Sequence, residues 1–103
     1  MSLLPPSARI DIPKLYETES QPDPLVRAKL FTTWTHWTWY IIEFDGDDLC
    51  FGLVDGYERE LGYFSLGELA SIRGPGGLKI EREESFMPLS QSQLQSNLRS
   101  SGH

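Results

Sequence analysis

The chain has 103 residues, of which 39% are hydrophobic and 12% aromatic, and its formal net charge at pH 7 is −6. These values predict one folded domain with a single core and exclude a wholly disordered chain. The sequence lacks an apolar run of the roughly 18 residues needed to span a bilayer, and its single cysteine, Cys50, excludes an internal disulfide.

The first residues, MSLLPPSARIDIPK, lack the basic and apolar regions of a signal peptide, so we expect a cytoplasmic protein. Five of the seven prolines fall in residues 1–24, which predicts an irregular arm with at most a short helical turn near residues 7–10. Residues 25–33, LVRAKLFTT, alternate in polarity and predict a half-buried strand.

Two strongly apolar segments follow, WTWYIIEF (37–44) and LCFGLVDG (49–56), and the Asp45-Gly46 pair between them predicts a hairpin with a loop of more than two residues. Residues 57–64, YERELGYF, predict a further strand. We call the side of the first segment that carries Trp37 and Trp39 the tryptophan face, and the opposite side the second face. Strict alternation places Glu43 on the tryptophan face and Phe44 on the second face.

Residues 65–72, SLGELASI, predict a short helix, because Ser65 and Glu68 have the spacing of a capping box. A glycine-rich turn, RGPGG, ends this helix, and LKIEREESF (78–86) predicts a last strand. Residues 89–103 are rich in Ser and Gln, which favours a mobile tail, with a short helix through Leu94 and Leu98 as the alternative.

The predicted fold is therefore α+β: a mainly antiparallel sheet of four to five strands with one short helix in residues 25–88, preceded by the arm (1–24) and followed by the tail (89–103). Both faces of the central strands are apolar, and one helix covers only one face of a sheet. The other face must meet the arm, the tail or another protein chain, which leaves a homodimer open.

The whole net charge lies in one segment, residues 43–60, where seven acids face a single base, Arg59; the rest of the chain holds eight acids and eight bases. This segment does not suit direct contact with a phosphate backbone, but it suits a basic protein partner. The expected partner-binding residues are Asp45, Asp47, Asp48, Asp55, Glu58 and Glu60.

The blocks WTWYIIEFDGDDLCFG, ELGYFSLGELASIRGP and IERE resemble those of a small bacterial family classed as a domain of unknown function. The resemblance covers roughly residues 12–88. It implies a protein of plasmids, phages or other mobile elements, encoded near antirestriction or DNA-processing genes, and carries no activity to individual residues. We therefore expect a small accessory protein that binds and modulates a host defence or DNA-processing protein through its acidic surface.

A first alternative is a small hydrolase or nuclease-like enzyme that uses Glu43 with Asp45 or Glu81, because an apolar setting would raise the pKa of Glu43. The competing interpretation is that Glu43 forms an ion pair with a base such as Arg27 or Arg73. His36 has no nucleophile in matching context, and the apolar neighbours of Cys50 predict a buried thiol. The sequence predicts no metal site and no cofactor.

A second alternative is a nucleic-acid-associated module that uses Arg27, Lys29, Arg73, Lys79 and Arg82. The tryptophans could stack on bases, but no Lys or Arg lies between Lys29 and Arg59 to accompany them. The glycine-rich turn follows its helix, whereas phosphate-binding loops usually precede one. Arg73, at the end of the predicted helix, remains a candidate anion-binding residue.

Overall fold

The computed structural model of the chain describes residues 3–100, so residues 1–2 of the predicted arm and 101–103 of the predicted tail lie outside the described residues. The described chain is α+β, as predicted. Its main sheet is antiparallel and five-stranded, in the order β5-β4-β3-β2-β6, and a two-stranded ribbon joins β1 and β7. The strands are β1 (Leu25–Val26), β2 (Ala28–Phe31), β3 (Thr38–Phe44), β4 (Leu49–Asp55), β5 (Arg59–Ser65), β6 (Glu81–Arg82) and β7 (Leu89–Ser90), and the helices are α1 (Pro6–Arg9), α2 (Leu66–Ser71) and α3 (Gln91–Ser100).

Two predicted strands differ from the observed ones. Residues 25–33 do not form one strand, because β1 pairs with β7 in the ribbon whereas β2 pairs with β3 in the main sheet. The predicted last strand, residues 78–86, keeps only β6. Its first residues instead close a turn, in which the amide of Gly74 donates to the carbonyl of Leu78 at 2.7 Å. The alternating polarity of residues 25–33 and 78–86 therefore does not indicate one long strand in either segment.

The tryptophan face packs under α2. Trp39 and Ile41 of β3 are buried in one cluster with Leu66 and Leu69 of α2, and Leu4 from the arm completes it. The Ser65 side chain accepts a hydrogen bond from the amide of Glu68 at 3.1 Å, which confirms the predicted helix start.

The second face is covered by the ribbon and by α3. Tyr40, Ile42 and Leu53 of the sheet are buried with Val26 of β1 and Leu94 of α3. Residues 89 to 100 form β7 and a ten-residue helix in this structure. None of the helices among residues 3–100 combines the length and the apolar character needed to cross a membrane.

A bulge in β3 overturns the predicted facing of Glu43 and Phe44. Ile41 pairs with Gly52 but Glu43 pairs with Phe51, so Ile42 is an extra residue in β3. Because directly paired residues point to the same side of a sheet, Glu43 turns to the second face. Phe44 turns to the tryptophan face and joins its core cluster. Strict alternation is wrong from residue 43 onward.

Candidate functional site

The sheet register gathers polar side chains on the second face near one end of the strands. Thr38 pairs with Asp55, and Asp55 pairs with Arg59, so these three side chains form one row across β3, β4 and β5. Lys29 pairs with Tyr40 in the adjacent row. Together they form a polar bowl of about 880 Å³, lined by Lys29, His36, Thr38, Tyr40, Asp55, Gly56, Tyr57, Glu58, Arg59 and Leu98.

Two loops form the rim of the bowl. His36 is exposed in the loop before β3, and Tyr57 is 92% exposed in the turn between β4 and β5. The Tyr57 ring lies edge-on against Trp37, with 5.4 Å between ring centroids. A Cβ atom on Gly56 would lie 2.4 Å from the Trp37 ring, so only glycine lets the turn pass this close to the indole. The rim therefore presents an aromatic ring that is exposed and held in place.

The charges in the bowl are mixed. Arg59 Nε lies 3.3 Å from an oxygen of Asp55, and its Nη2 donates to the carbonyl of Leu98 at 3.4 Å. Lys29 Nζ lies 6.0 Å from the centroid of the Tyr40 ring. Burial raises the pKa of Tyr40, and the negative charge of Asp55 raises it further, so its phenol stays neutral and can donate a hydrogen bond. The bowl thus offers the ion pair of Arg59 with Asp55, the carboxylate of Glu58, the ammonium group of Lys29 and the neutral phenol of Tyr40.

Asp45, expected to bind a partner, organises its own loop. One carboxylate oxygen accepts hydrogen bonds from the amides of Asp47, Asp48 and Leu49 at 2.8, 2.8 and 3.1 Å. The bonds from Asp47 and Asp48 hold the pKa of Asp45 below its usual value. This carboxylate keeps the β3–β4 loop in one conformation.

Asp48 is also engaged within the chain. It accepts hydrogen bonds from the Ser65 hydroxyl at 2.6 Å and from the amide of Gly67 at 2.7 Å, and its carbonyl accepts the amide of Leu66 at 2.9 Å. The sequence predicts Ser65 as the helix cap, whereas the structure shows a cap built from Ser65 and Asp48 together.

The acidic segment is divided between two ends of the sheet. We call residues 45–48 the acidic loop and residues 55–60 the acidic turn; β4 separates them by about 20 Å, since a strand rises about 3.3 Å per residue. Asp47 is exposed in the loop, and Glu58 and Glu60 are exposed in or beside the turn. Asp55 belongs to the turn but forms the ion pair with Arg59. The charges that are adjacent in sequence do not make one continuous surface.

Glu43 does not have the properties expected of a general acid. It is only 3% exposed, and its carboxylate accepts hydrogen bonds from the amides of Tyr16 and Thr18, both at 2.9 Å, and from the Thr18 hydroxyl at 2.5 Å. Burial raises the pKa of Glu43, but these hydrogen bonds outweigh it and the net shift is downward. The expected raised pKa is therefore wrong, and the competing ion pair with Arg27 or Arg73 is replaced by bonds to the arm. None of Glu43, Asp45 and Glu81 lines the polar bowl, and Glu81 lies in a second groove.

The bases of the nucleic-acid alternative are dispersed. Lys29 lies in the polar bowl, while the Nε atom of Arg27 is buried and has no hydrogen-bond partner among the described residues. The remaining three bases lie around a second groove, of about 940 Å³, beside three acids: Arg73, Lys79 and Arg82 with Glu81, Glu83 and Glu84. This groove is not uniformly positive.

Arg73, the candidate anion-binding residue, reaches that groove but also closes the end of α2. Its Nη1 donates to the carbonyls of Ala70 and Ile72 at 2.7 and 3.0 Å. These are the carbonyls that a helix leaves without partners at its C-terminus. Part of the hydrogen-bonding capacity of Arg73 is thus used within the chain.

Sequence reasoning missed most of the bowl. His36 and Lys29 were considered separately, and Tyr40, Tyr57 and Arg59 were not considered as site residues. These residues could be found from the register of β3 with β4 and of β4 with β5, which follows once the lengths of the two connecting loops are known. Among residues 3–100, no group of three or more His, Cys, Asp or Glu side chains is arranged to hold a metal ion.

These features define a small α+β protein whose antiparallel sheet carries a polar bowl and an exposed acidic turn at one end. The chain belongs to the family described as "Protein of unknown function (DUF2958)", whose model matches residues 7–100. This match supports the expected membership of an uncharacterised domain family. Comparisons with curated proteins and with solved structures gave no match.

Proposed function

We propose that the chain is a protein-binding module that contacts a basic partner through the acidic turn. Tyr57 carries this proposal: its ring is 92% exposed and yet is held edge-on by Trp37. A large exposed aromatic side chain usually buries its apolar surface only when a partner covers it. Tyrosine is enriched among the residues that dominate binding energies, because its ring buries a large area with few rotatable bonds.

The charges around Tyr57 define the chemistry of the partner. Glu58 and Glu60 are exposed, and neither forms an ion pair with another described residue. They are available to Lys or Arg side chains, which also pack against the face of a tyrosine ring. The bowl, which Tyr57, Glu58 and Asp55 help to line, supplies the concave surface that such a side chain enters.

The acidic loop has a secondary role in this proposal. Asp45 and Asp48 are oriented by their own hydrogen bonds, so they act with Asp47 through long-range attraction rather than through close contacts. The resemblance to mobile-element proteins directs the search toward a cytoplasmic host defence or DNA-processing protein with a basic surface. The chain would act on that protein by occupying its basic surface.

The test compares recovery of host proteins by the immobilised wild type and by single-residue variants. Tyr57→Ala and Glu58→Lys should lose the partner, whereas Asp47→Lys, the same charge reversal at the opposite end of β4, should retain it. Because attraction between exposed charges is screened within about 8 Å at physiological salt, recovery should also fall as salt rises. Equal recovery by all three variants, with unchanged circular dichroism, would rule out the acidic turn as the contact.

The polar bowl favours a second candidate function, a small hydrolase or nuclease-like enzyme. The residues differ from those expected at first: Lys29 and His36 would hold the anionic part of a substrate, and the neutral Tyr40 phenol would donate a hydrogen bond to it. This arrangement favours a phosphate-bearing small molecule over a carboxylate-based reaction centred on Glu43.

Thermal unfolding in the presence of inorganic phosphate and mononucleotides tests this second candidate. A ligand that binds the folded state raises the melting temperature, and the rise grows with the logarithm of the ligand concentration above its Kd. The rise should be present in the wild type and absent in Lys29→Ala, whereas Lys79→Ala in the second groove serves as the matched control. No rise with any of these ligands, or an equal rise in Lys29→Ala, would remove the bowl as their site.

A further inference from the structure

The two edges of the main sheet differ in how they are protected. One edge is β6, a strand of two residues followed by the acids Glu83 and Glu84. The other edge is β5, which has seven residues and pairs with β4 in an unbroken register from residue 59 to residue 65. Soluble proteins usually protect such an edge with lysine, proline, a bulge or a covering segment. Strand β5 contains no lysine, no proline and no bulge, and its charged side chains, Arg59 and Glu60, are confined to its first two residues.

The side chains along β5 leave its outer edge accessible. Leu61 and Tyr63 are 47% and 51% exposed and lie on the second face, paired through β4 with Leu53 and Phe51. Gly62 lies between them, and no atom lies within 4 Å of the position its Cβ would occupy. That position lies over the tryptophan face of the sheet, so the face at Gly62 is open. Among residues 3–100, β5 pairs only with β4, so its outer edge is unpaired, and the apolar side chains of Leu61 and Tyr63 flank it on the second face.

We propose that β5 pairs with β5 of a second copy of this chain, antiparallel and with the two Gly62 residues opposite each other. The two five-stranded sheets would then join into one continuous sheet. In this register Leu61 lies opposite Tyr63 of the partner subunit, and Tyr63 lies opposite Leu61 of the partner subunit. Each contact joins two exposed apolar side chains on the same face.

Other registers fit β5 less well. A shift by two residues places Leu61 opposite its own copy and leaves residues at the strand ends unpaired. A shift by one residue pairs the second-face residues of one protomer with the tryptophan-face residues of the other. The exposed apolar side chains of the two protomers then no longer meet. The register centred on Gly62 is the one in which all seven residues pair and both apolar contacts form.

The charges of β5 tolerate this pairing. Glu60 would lie opposite Phe64 of the partner subunit, and the two Glu60 residues would be four residues apart along the strands, about 13 Å at 3.3 Å per residue. That exceeds the screening length of about 8 Å at physiological salt. Because each protomer carries a net charge of −6, added salt should strengthen the dimer. Salt should weaken binding of a basic partner, so the two interactions can be distinguished.

A cysteine at the centre of the proposed interface tests the register. In Gly62→Cys, the two Cα atoms would be about 4.5–5.5 Å apart, within the range for a disulfide. The open space at Gly62 accommodates the new side chain, and the native Cys50 is buried. Glu60→Cys is the matched control, because its two Cα atoms would be about 13 Å apart.

Under mild oxidation, Gly62→Cys should give about tenfold more covalent dimer than Glu60→Cys, because pairing raises the effective concentration of the two thiols. Equal amounts in the two variants would overturn the proposal. A Gly62→Cys thiol that forms disulfides with host proteins but not with itself would assign the edge to another chain and would overturn it as well.

A charge exchange supplies an independent measurement by light scattering over a concentration series. The double variant Leu61→Lys/Tyr63→Lys places like charges opposite each other twice and should be monomeric. The variant Leu61→Lys/Tyr63→Glu places opposite charges at the same two positions and should recover the dimer. Both positions are exposed, and both variants equally remove the hydrogen bond between the side chains of Tyr63 and Tyr16, so that loss does not distinguish them. Circular dichroism checks the fold. Identical association of the two double variants would contradict the register.

Discussion

The carboxylate of Glu43 accepts a hydrogen bond at 2.9 Å from the amide of Thr18, which precedes it by 25 residues. Two further bonds, from the Thr18 hydroxyl and the Tyr16 amide, attach the arm to the end of β3. Tyr16 has a positive φ of 70°, a conformation that costs energy in a residue other than glycine. Glu43 is therefore a structural residue that holds the arm in a turn.

Replacing Glu43 with alanine should lower the free energy of unfolding by about 2–3 kcal/mol, because it removes hydrogen bonds to a charged group and leaves the Thr18 amide buried without a partner. Chemical denaturation measures the loss. Glu84→Ala is the control, since Glu84 is exposed, and it should change the stability by less than about 0.5 kcal/mol. Similar losses in the two variants would contradict the role of Glu43.

The contribution of Glu43 should also depend on pH. Burial raises its pKa and the hydrogen bonds lower it, with a net value in the folded protein below the usual 4.5. The stabilisation is therefore complete above the unfolded pKa and is lost as pH falls through the folded pKa. The difference in stability between wild type and Glu43→Gln should narrow as pH falls below about 4.5. A difference that stays constant to about pH 3 would refute the lowered pKa.

Two aspartates of the acidic loop, Asp47 and Asp48, should differ in how much they contribute to the free energy of unfolding. Asp48→Ala should lower the free energy of unfolding by about 1–2 kcal/mol, because Ser65 and the amide of Gly67 lose their acceptor at the start of α2. Asp47 is exposed, so Asp47→Ala should lie within about 0.5 kcal/mol of the wild type. If both variants unfold at the same denaturant concentration, the capping role of Asp48 is wrong.

The parts of the fold that the sequence predicted are those encoded by local pattern. The positions of β3, β4 and β5, the hairpin at Asp45, and the helix start at Ser65 depend on neighbours a few residues away. Turn residues, alternation and helix caps suffice to find such elements. The family match over residues 7–100 agrees with the ordered sequence blocks that suggested a resemblance.

The parts that the sequence did not predict depend on distant contacts. The extra residue at Ile42 is defined by pairing with β4, and it reverses the facing of Glu43. The segment containing Leu94 is polar in composition and becomes ordered because it covers the second face. The polar bowl exists only because Lys29 and Arg59 are brought to one face by three strand pairings. Each of these features depends on contacts between residues far apart in the sequence, so local sequence patterns do not reveal them.

Two paired glycines in adjacent strands should respond differently to alanine. Gly52 and Gly62 are opposite each other in β4 and β5, but a Cβ on Gly52 would lie 1.8 Å from the carbonyl oxygen of Tyr40. Because that atom is backbone, Gly52→Ala should cost more than about 2 kcal/mol. Gly62→Ala meets open space and should be neutral or slightly stabilising. Denaturation at low protein concentration compares them, and equal costs would contradict the close approach at the bulge.

The thiol of Cys50 should be inert in the folded protein. Burial, together with the smaller effect of the negative charges of Asp45 and Asp48, raises its pKa to about 12. A thiol with this pKa is almost entirely protonated at pH 8, and the thiolate is the reactive form. A disulfide reagent should therefore modify Cys50 only after denaturant is added, whereas the exposed thiol of Glu60→Cys should react at once. Rapid modification of the native wild type would contradict the burial.

The packing of α3 on the sheet should contribute strongly to stability despite its polar composition. Leu94 is 5% exposed and shares a cluster with Val26 and Leu53. Truncating a buried leucine costs the lost burial and the cavity it leaves, so Leu94→Ala should lower the free energy of unfolding by about 2–4 kcal/mol. Ser96→Ala, at an exposed position of the same helix, is the control and should change it by less than about 0.5 kcal/mol. If Leu94→Ala were as stable as Ser96→Ala, α3 would not be docked, and the second face would be free for another chain.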